Sequence, residues 1–320
     1  MKQSDSLIDN ATLKKTAKSL IEVVGQAALA TGKYIGSGKK EEGDQAAVDA
    51  MRKAFDHIPI DGIVKVGEGE KDEAPMLYIG EPVGNGTGAK IDIAVDPVEG
   101  TALMANGLPN AITVLAATER NGFWEAGSAY YMNKIVVGNK SKGVVDITAS
   151  TEENLKAIAN ALNKKITELC IYVLDKPRHK ALIEEIKSLG AKVSLQPEGD
   201  VIGSVLALIP HSGIDVLMGI GGAPEAVITA AAVKVMNGDM QGQLAPQKVD
   251  EKKKLFKEGV DLQTVLTLDD LIKSEWAIFA AAGVTSGLLL NGVEEKGNVT
   301  EFLLLGPEEN NLERGHFPRK

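Results

Sequence analysis

The stretch Val95-Asp96-Pro97-Val98-Glu99-Gly100-Thr101 decides how this chain is organised, because it ends an apolar run that begins at Ile91. The run predicts a buried strand, and the turn after it carries two carboxylates and a hydroxyl. Gly100 allows a backbone conformation that other residues resist. Carboxylates at the end of a buried strand are typical of a site for a hard cation, although Asp-Pro and Glu-Gly pairs are also common in ordinary turns.

Two further segments favour the metal site. An acidic turn at 66–73 places Glu68 and Glu70 after the apolar run 63–66, and the segment 219–225 ends another run and opens a helix that contains Glu225. We expect these groups to meet at one edge of a parallel sheet, where the carboxyl ends of the strands lie together. Carboxylate ligands without His or Cys suit Mg²⁺ or Mn²⁺. One or two such ions can activate water and hold a phosphoryl group.

Alternating strand-like and helix-like segments predict an α/β fold. Strands are predicted at 63–66, 91–95, 111–117, 124–137, 169–174, 193–195, 215–220, 276–282 and 302–305. Helices are predicted at about 11–35, from near Asp44, and at 152–162, 178–189, 201–208, 225–236 and 252–257. Asp44 would then lie in the first turn of its helix, where Asp usually caps. The segment 313–320 is polar and predicts a frayed end.

The length of 320 residues suggests two domains or one large layered domain. A soft boundary near Ser150 divides a strand-rich half, 1–150, that carries the metal ligands from an α/β half, 151–320, that completes the site. We expect one compact unit without a linker. The hydrophobic fraction of 44% and charged fraction of 25% are typical of soluble globular proteins.

The net charge of −9 opposes binding to nucleic acid or to an anionic membrane. No apolar run is long enough to span a bilayer, and residues 1–10 lack the apolar core of a signal peptide. These features predict a cytoplasmic protein. Cys170 is the only cysteine, which excludes a disulfide within the chain and a cysteine zinc site.

Two polar segments follow strands in the second half. Lys176-Pro177-Arg178-His179 could bind a phosphate through two cations and an imidazole, or it could be a solvated helix start with Pro177 at the first position. Glu198-Gly199-Asp200 could accept hydrogen bonds from sugar hydroxyls, or Asp200 could cap a helix. Glu225 is favoured in a first helical turn whether or not it binds a metal.

The order of these motifs resembles a known signature. An acidic residue, a distant Glu-x-Glu at 68–70 and Asp-Pro-x-Glu-Gly-Thr at 96–101 are similar to the magnesium-dependent, lithium-sensitive phosphatase superfamily. The longer strings at 67–81, 176–179, 219–225 and 238–242 resemble class II fructose-1,6-bisphosphatases. The resemblance runs in order from about Gly36 to Gly297.

The resemblance implies a layered α/β/α/β/α sugar-phosphatase fold and a phosphoric monoester hydrolase. Its substrate would be a small sugar bisphosphate, and its reaction would remove the 1-phosphate of fructose 1,6-bisphosphate in gluconeogenesis or the Calvin cycle. It implies Mn²⁺ or Mg²⁺ as cofactor and a homo-oligomer, either a tetramer or a dimer. Alternatives are a phosphatase for sedoheptulose 1,7-bisphosphate, for both bisphosphates or for an inositol phosphate. Another is a non-catalytic protein that binds metal or sugar phosphate, which the full set of carboxylates with Thr101 disfavours.

The resemblance also implies roles for single residues. Asp44 and Glu68 would bind one metal, and Asp96, Glu99 and Glu225 the other. Asp96, Glu99 and Thr101 would be catalytic, with Thr101 orienting or deprotonating the attacking water. The substrate-binding residues would be Glu99, Gly100 and Thr101 at the phosphate, Lys176, Pro177 and Arg178 at the second phosphate, Glu198, Gly199 and Asp200 at the sugar, together with Gly222 and Tyr131.

Some positions depart from the family pattern. Tyr130 precedes Tyr131, so either tyrosine could contact substrate. Glu198 stands where the family usually has Asp, and its extra methylene affects the fit to the sugar. Lys39 stands where many members have Asp, but Asp44 matches the ligand position, so we expect metal binding to be retained.

Overall fold

A computed structural model describes residues 8–69, 76–294, 298–308 and 311–318. Its strands are β1 (Ile60–Val66), β2 (Pro82–Val83), β3 (Ala89–Glu99), β4 (Ile112–Glu119), β5 (Tyr131–Val137), β6 (Cys170–Leu174), β7 (Lys192–Gln196), β8 (Val216–Gly222), β9 (Asp239–Leu244), β10 (Val265–Thr267), β11 (Ala277–Gly283), β12 (Thr300–Leu305) and β13 (Leu312–Phe317). Its α-helices are α1 (Asn10–Thr31), α2 (Lys40–Phe55), α3 (Thr101–Ala105), α4 (Thr151–Leu162), α5 (Lys180–Ser188), α6 (Asp200–Leu208), α7 (Ala223–Val235), α8 (Val249–Lys257) and α9 (Leu268–Leu271).

The strands form two mixed sheets. The first has seven strands in the order β13-β12-β11-β4-β3-β1-β2, and the second has six in the order β10-β9-β5-β8-β6-β7. Strands β1 and β3 are parallel, as are β6 with β7 and with β8, while the other described pairs are antiparallel.

Side-chain alternation along the strands separates three apolar cores. Ile91, Ile93 and Val95 of β3 pack with α1 and α2, whereas Ala94 faces the opposite core with α6 and α7. In β5, Val136 faces that same central core, while Ile135 packs with α4 and α5 on the other side. The layers therefore run helices, sheet, helices, sheet, helices, and the predicted layered α/β class is confirmed.

Helix α7 lies between the two sheets and is apolar on all sides. Its segment from Ala226 to Val233 is buried, and it packs against β4 and β11 of the first sheet and β9 of the second. Its first turn carries Glu225. A central helix of small residues thus brings a carboxylate to the boundary between the sheets.

Three segments differ from the sequence-based expectation. The strand predicted at 124–137 begins at Tyr131, because Gly127 turns the backbone with a φ of 54°. The predicted frayed end forms β13, which pairs with β12, and Phe317 is buried with its ring in the space beside Gly25 of α1. The helix predicted to begin near Asp44 begins four residues earlier, at Lys40.

Helix α2 begins at Lys40, so Asp44 lies in its second turn and does not cap it. Gly43 suits this helix because Met104 fills the space that a Cβ would need. The side chain of Asp44 is therefore free for another role.

Both halves of the chain contribute to each sheet. Strand β5 belongs to the second sheet, and β11 to β13 complete the first. The division into residues 1–150 and 151–320 stays a prediction about folding units. None of the helices in the described ranges is long and apolar enough to cross a membrane.

Candidate active site

A bulge in β3 places Asp96 and Glu99 on the same face. Residues three apart on a regular strand point to opposite faces. Here the pairing with β4 shifts, so that Asp96 lies opposite Val114 and Glu99 opposite Ile112, two residues along β4. The extra residue in β3 turns the second carboxylate to the side of the first. Gly100 follows with a φ of 86°, and Thr101 begins α3.

The two carboxylates meet a third from the other sheet. Oxygen atoms of Asp96, Glu99 and Glu225 lie within 4.8 Å of one another. The expectation that the acidic groups share one sheet edge is wrong, because β1 and β3 belong to the first sheet while β8, which leads into α7, belongs to the second. The cluster lies where the ends of the two sheets approach.

Nearly all predicted site residues line one cleft, which we call the acidic cleft. It has a volume of about 570 Å³, and the predicted residues that line it are Asp44, Glu68, Asp96, Glu99, Gly100, Thr101, Tyr131, Lys176, Arg178, Glu198, Gly199, Asp200, Gly222 and Glu225. Pro177 instead borders a neighbouring cavity with Lys176. Glu70 lies outside the described residues.

Burial and mutual repulsion raise the pKa values of the clustered carboxyls. Burial raises the pKa of Asp96 well above its ordinary value, and the charges of Glu225 and Glu68 raise it further. Burial followed by the charges of Asp200 and Asp96 does the same to the pKa of Glu99. The pKa of Glu225 is raised by burial and by Asp200.

Glu68 and Asp44 belong to the same electrostatic group. The Glu68 side chain is exposed at the cleft, but desolvation by the protein around it, followed by the charges of Asp44 and Glu225, raises its pKa from 4.5 to about 7. Burial raises the pKa of Asp44, with Glu41 adding to the rise and Lys40 opposing it. The cluster therefore favours a bound proton or a bound cation.

The donor set fits a hard divalent cation. All of its members are carboxylates, as Mg²⁺ and Mn²⁺ prefer. Oε2 of Glu225 is buried and has no hydrogen-bond partner among the described residues. Such an orphaned acceptor beside two other carboxylates is the arrangement that a cation would stabilise.

We expect the chelated protein to become more stable as the pH falls from 7.5 to 5.5. The folded pKa of Glu68 is about 7 against an ordinary 4.5, so the folded state binds a proton that the unfolded state does not. This stabilisation is complete below pH 4.5 and is lost as the pH rises through 7. Melting temperatures measured in a chelator should therefore rise on acidification.

The substitution Glu68→Gln provides the control, because it removes one of the carboxyls whose raised pKa gives this dependence. It should make the melting temperature of the chelated protein change less between pH 7.5 and pH 5.5 than that of the wild type. A wild-type melting temperature that is lower at pH 5.5 than at pH 7.5 would contradict the assignment of the raised pKa. Mn²⁺ should stabilise the wild type more at pH 7.5 than at pH 5.5, since protons compete for the same oxygens.

Two consecutive glycines make room for two carboxylates. A Cβ on Gly222 would overlap Oε2 of Glu225, and a Cβ on Gly221 would overlap Oδ2 of Asp200. Neither glycine has a positive φ, so the requirement here is space rather than backbone freedom. Because the end of β8 has no side chains at these two positions, the acidic side chains can lie against its backbone.

The lining of the acidic cleft also includes basic and aromatic side chains. Lys176 and Arg178 follow β6, and the Arg178 guanidinium carbon lies 5.3 Å from the ring centroid of Tyr131. Nε and Nη2 of Arg178 donate to the carbonyl of Ile220 at 3.1 and 2.9 Å. Tyr130 also lines the cleft, but its side chain is 51% exposed.

His179 is not among the basic residues that line the acidic cleft, although its position beside Arg178 suggested that it could contact a phosphate. The imidazole is buried, with Nδ1 2.7 Å from the carbonyl of Leu174, and Nε2 accepts the N–H of Ile220 at 2.7 Å. These bonds fit the neutral ring, and burial lowers its pKa. His179 therefore ties the end of β6 to β8.

The segment 198–200 opens α6, and Gly199 rather than Asp200 occupies the capping position. Asp200 is the first helical residue, and its buried carboxylate pairs with Lys134 of β5. The hydroxyl of Tyr172 donates to the carbonyl of Gly199 at 2.7 Å, and the N–H of Val201 donates to Oε1 of Glu99 at 3.3 Å. The segment is thereby fixed to both sheets.

Three residues of the site were missed by the sequence analysis. Lys134 shares the buried phase of β5 with Met132, and a charge in that phase is the signal that could have revealed it. Glu251 lies just before the helix predicted at 252–257 and was given no role, but its buried Oε1 accepts the N–H groups of Tyr130 and Tyr131 at 2.8 and 2.9 Å. Lys248, at the start of α8, also lines the cleft.

Comparison with known proteins agrees with the motifs. The model of a family described as bacterial fructose-1,6-bisphosphatase, glpX-encoded, matches residues 14–310. The fructose-1,6-bisphosphatase class 2 of Haemophilus influenzae is 46% identical, with 88% of this chain and 89% of that protein covered. The fructose-1,6-bisphosphatase 1 class 2 of Escherichia coli K12 is 42% identical, with 94% of each chain covered. The chain therefore belongs to the glpX-type family of bacterial fructose-1,6-bisphosphatases.

Proposed function

We propose that this protein hydrolyses the 1-phosphate of fructose 1,6-bisphosphate, releasing fructose 6-phosphate and inorganic phosphate. The observation that carries this proposal is that one cleft is lined both by a carboxylate cluster and by the cationic side chains of Lys176 and Arg178. The carboxylate cluster suits a divalent metal ion that binds the reacting phosphate. The side chains of Lys176 and Arg178 suit a second phosphate. The family relationship supports the same reaction.

Asp96, Glu99 and Glu225 would hold one divalent cation, and Asp44 with Glu68 a second. When bound, Mn²⁺ or Mg²⁺ supplies positive charge that neutralises the transferring phosphoryl group and makes a water molecule more acidic. The protein's own part is to hold these carboxylates close together at the place where the cation would bind. The bulge in β3 turns Asp96 and Glu99 to one side, and the absence of side chains at Gly221 and Gly222 leaves space for the carboxylates of Asp200 and Glu225.

The residues after β3 would position the reacting phosphate. Glu99, Gly100 and Thr101 line the cleft, and the Thr101 hydroxyl would orient the attacking water and pass its proton on to a carboxylate of the cluster. Such positioning and proton transfer contribute about 10²- to 10⁴-fold in enzymes generally. Asp96 would bind the divalent cation beside this phosphate.

The remaining site residues would bind the rest of the substrate. Lys176 and Arg178 would hold the second phosphate, with Pro177 fixing the turn between them, and Tyr131 would pack beside it. Glu198, Gly199 and Asp200 would accept hydrogen bonds from the sugar, and Gly222 would approach it through its backbone.

The proposal extends to cellular context. We propose that the protein acts in the cytoplasm as a homo-oligomer, either a tetramer or a dimer, in gluconeogenesis or the Calvin cycle. These statements are supported by the family and not by any contact in the structure.

The test is release of inorganic phosphate from fructose 1,6-bisphosphate by chelated protein to which Mn²⁺ or Mg²⁺ is then added. Release that depends on the metal is the expected result. Absence of release from folded, metal-loaded protein would overturn the proposal. Parallel assays with sedoheptulose 1,7-bisphosphate and inositol monophosphate would then separate another phosphatase from a protein that only binds.

We expect Lys176→Met to discriminate between bisphosphate and monophosphate substrates. Loss of a charge-assisted hydrogen bond costs about 1.5–3 kcal/mol, so KM for fructose 1,6-bisphosphate should rise tenfold or more. KM for fructose 1-phosphate should not change, because that substrate lacks the second phosphate. Lys180→Met is the matched control, since Lys180 borders the neighbouring cavity rather than the cleft. Equal effects on both substrates would contradict the role of Lys176.

A further inference from the structure

Lys134 is a buried cation beside the acidic cleft that the roles above do not use. Its side chain has no exposed surface, and its ammonium pairs with the carboxylate of Asp200, which is buried except for a small part of its surface. Nζ also donates to the carbonyl of Gly222 at 3.0 Å. One group of β5 thus contacts the start of α6 and the end of β8.

The two partners of Lys134 lead to two different parts of the site. Asp200 belongs to the segment proposed to bind the sugar. Gly222 is the residue immediately before α7. Glu225 of the carboxylate cluster lies in the first turn of that helix, and its side chain lies against Gly222. Any change in the position of the Gly222 carbonyl therefore shifts the backbone that carries Glu225.

The surroundings of the Asp200 carboxylate depend on the positive charge of Lys134. Gly221 lacks the Cβ that would occupy the place of the Asp200 carboxylate, so the chain is shaped around the ion pair. The charge of Asp200 acts on both Glu99 and Glu225. Without a neighbouring cation, a carboxylate so close to two others would be repelled from its place.

We propose that Lys134 is a positioning residue that holds the sugar-binding carboxylate of Asp200 and the cation ligand Glu225 in a fixed relative arrangement. Its ammonium does so by bonding the Asp200 carboxylate and the Gly222 carbonyl at the same time. The inference rests on the proposed function for the meaning of the sugar site, but its effect on the cation site is independent of it.

The first experiment compares Lys134→Met with the wild type in two measurements. Affinity for Mn²⁺ alone, from the electron paramagnetic resonance of free Mn²⁺, reports on the cation site without any sugar. Steady-state kinetics with fructose 1,6-bisphosphate report on the sugar site. We expect Mn²⁺ affinity to fall at least tenfold and KM to rise at least tenfold in protein that still melts cooperatively.

Lys164→Met is the matched control. It also breaks a lysine–aspartate pair of the second sheet, with Asp215, which lies before β8 rather than at its cleft end. This variant should leave Mn²⁺ affinity and KM within twofold of the wild type. The proposal is overturned if Lys134→Met leaves both measurements within twofold, or if Lys164→Met changes them equally.

A second variant covers the case in which Lys134→Met does not fold. Lys134→Arg keeps the positive charge but replaces a point donor with a longer planar group. Positioning predicts a several-fold loss of Mn²⁺ affinity and a rise in KM, whereas unchanged values would show that charge alone suffices and would overturn the proposal. If the wild type itself releases no phosphate, the proposed function fails while the Mn²⁺ comparison still tests Lys134.

Discussion

Replacing Glu99 by Gln is expected to lower kcat for fructose 1,6-bisphosphate by about a thousandfold or more. Glu99 lies in the carboxylate cluster and beside the turn proposed to hold the reacting phosphate, so its charge serves both the cation and the geometry of the reaction. Removing one preorganised electrostatic contact typically costs about 10²- to 10³-fold. Here the contact and part of the cation site are lost together.

The same substitution should leave the fold intact. The amide oxygen of Gln can still accept the N–H of Val201, as Oε1 of Glu99 does. A neutral side chain also relieves repulsion from Asp200 and Asp96, so in a chelator Glu99→Gln should melt no lower than the wild type. Glu125→Gln, at an exposed position outside the cleft, is the control for loss of a carboxylate. A folded Glu99→Gln variant with near-normal kcat would disprove the proposed role.

Replacing Thr101 by Val is expected to lower kcat by about 10²- to 10⁴-fold, the range that general acid–base groups contribute. Val keeps the shape of the side chain and removes only the hydroxyl. Because the hydroxyl would act on the attacking water and not on the sugar, KM should change little. Mn²⁺ affinity should also stay the same, since Thr101 is not a member of the carboxylate cluster.

Two measurements distinguish this outcome from a structural effect. Thr167→Val, at an exposed position outside the cleft, should retain full activity. Thr101→Val should melt within a few degrees of the wild type. A loss of kcat accompanied by an equal loss of Mn²⁺ affinity would show that Thr101 supports the cation site instead.

The sequence predicted the elements and the acidic groups well, because apolar runs and turn residues are local signals. Strands around Ile93, Val114 and Val173 were placed from their apolar residues alone, and the structure confirms them. The errors arose where tertiary packing decides. Phe317, the buried last residue of the edge strand β13, packs at Gly25 of α1, a contact that no local pattern reveals.

The site itself depended on features that spacing does not encode. The sequence predicted a turn after residue 95, but Asp96 and Glu99 both belong to β3, and the bulge that brings their carboxylates together is visible only in the pairing with β4. Glu225 joins them from a different sheet. The buried pair of Lys134 and Asp200 likewise joins segments distant in the chain, so neither residue alone signals its partner.

The exchange of strands between the two halves of the chain has a consequence for synthesis on the ribosome. Strand β4 is bordered by β11, with Ile112 opposite Gly283, so the first sheet cannot be completed until the last segments have emerged. The pairs of Asp44 with Glu68 and of Asp96 with Glu99 emerge long before Glu225. A partly synthesised chain therefore cannot assemble the full carboxylate cluster, and contacts so distant in sequence form slowly. We therefore expect metal-dependent activity to be absent until Glu225 and the late strands of the first sheet have been added to the chain.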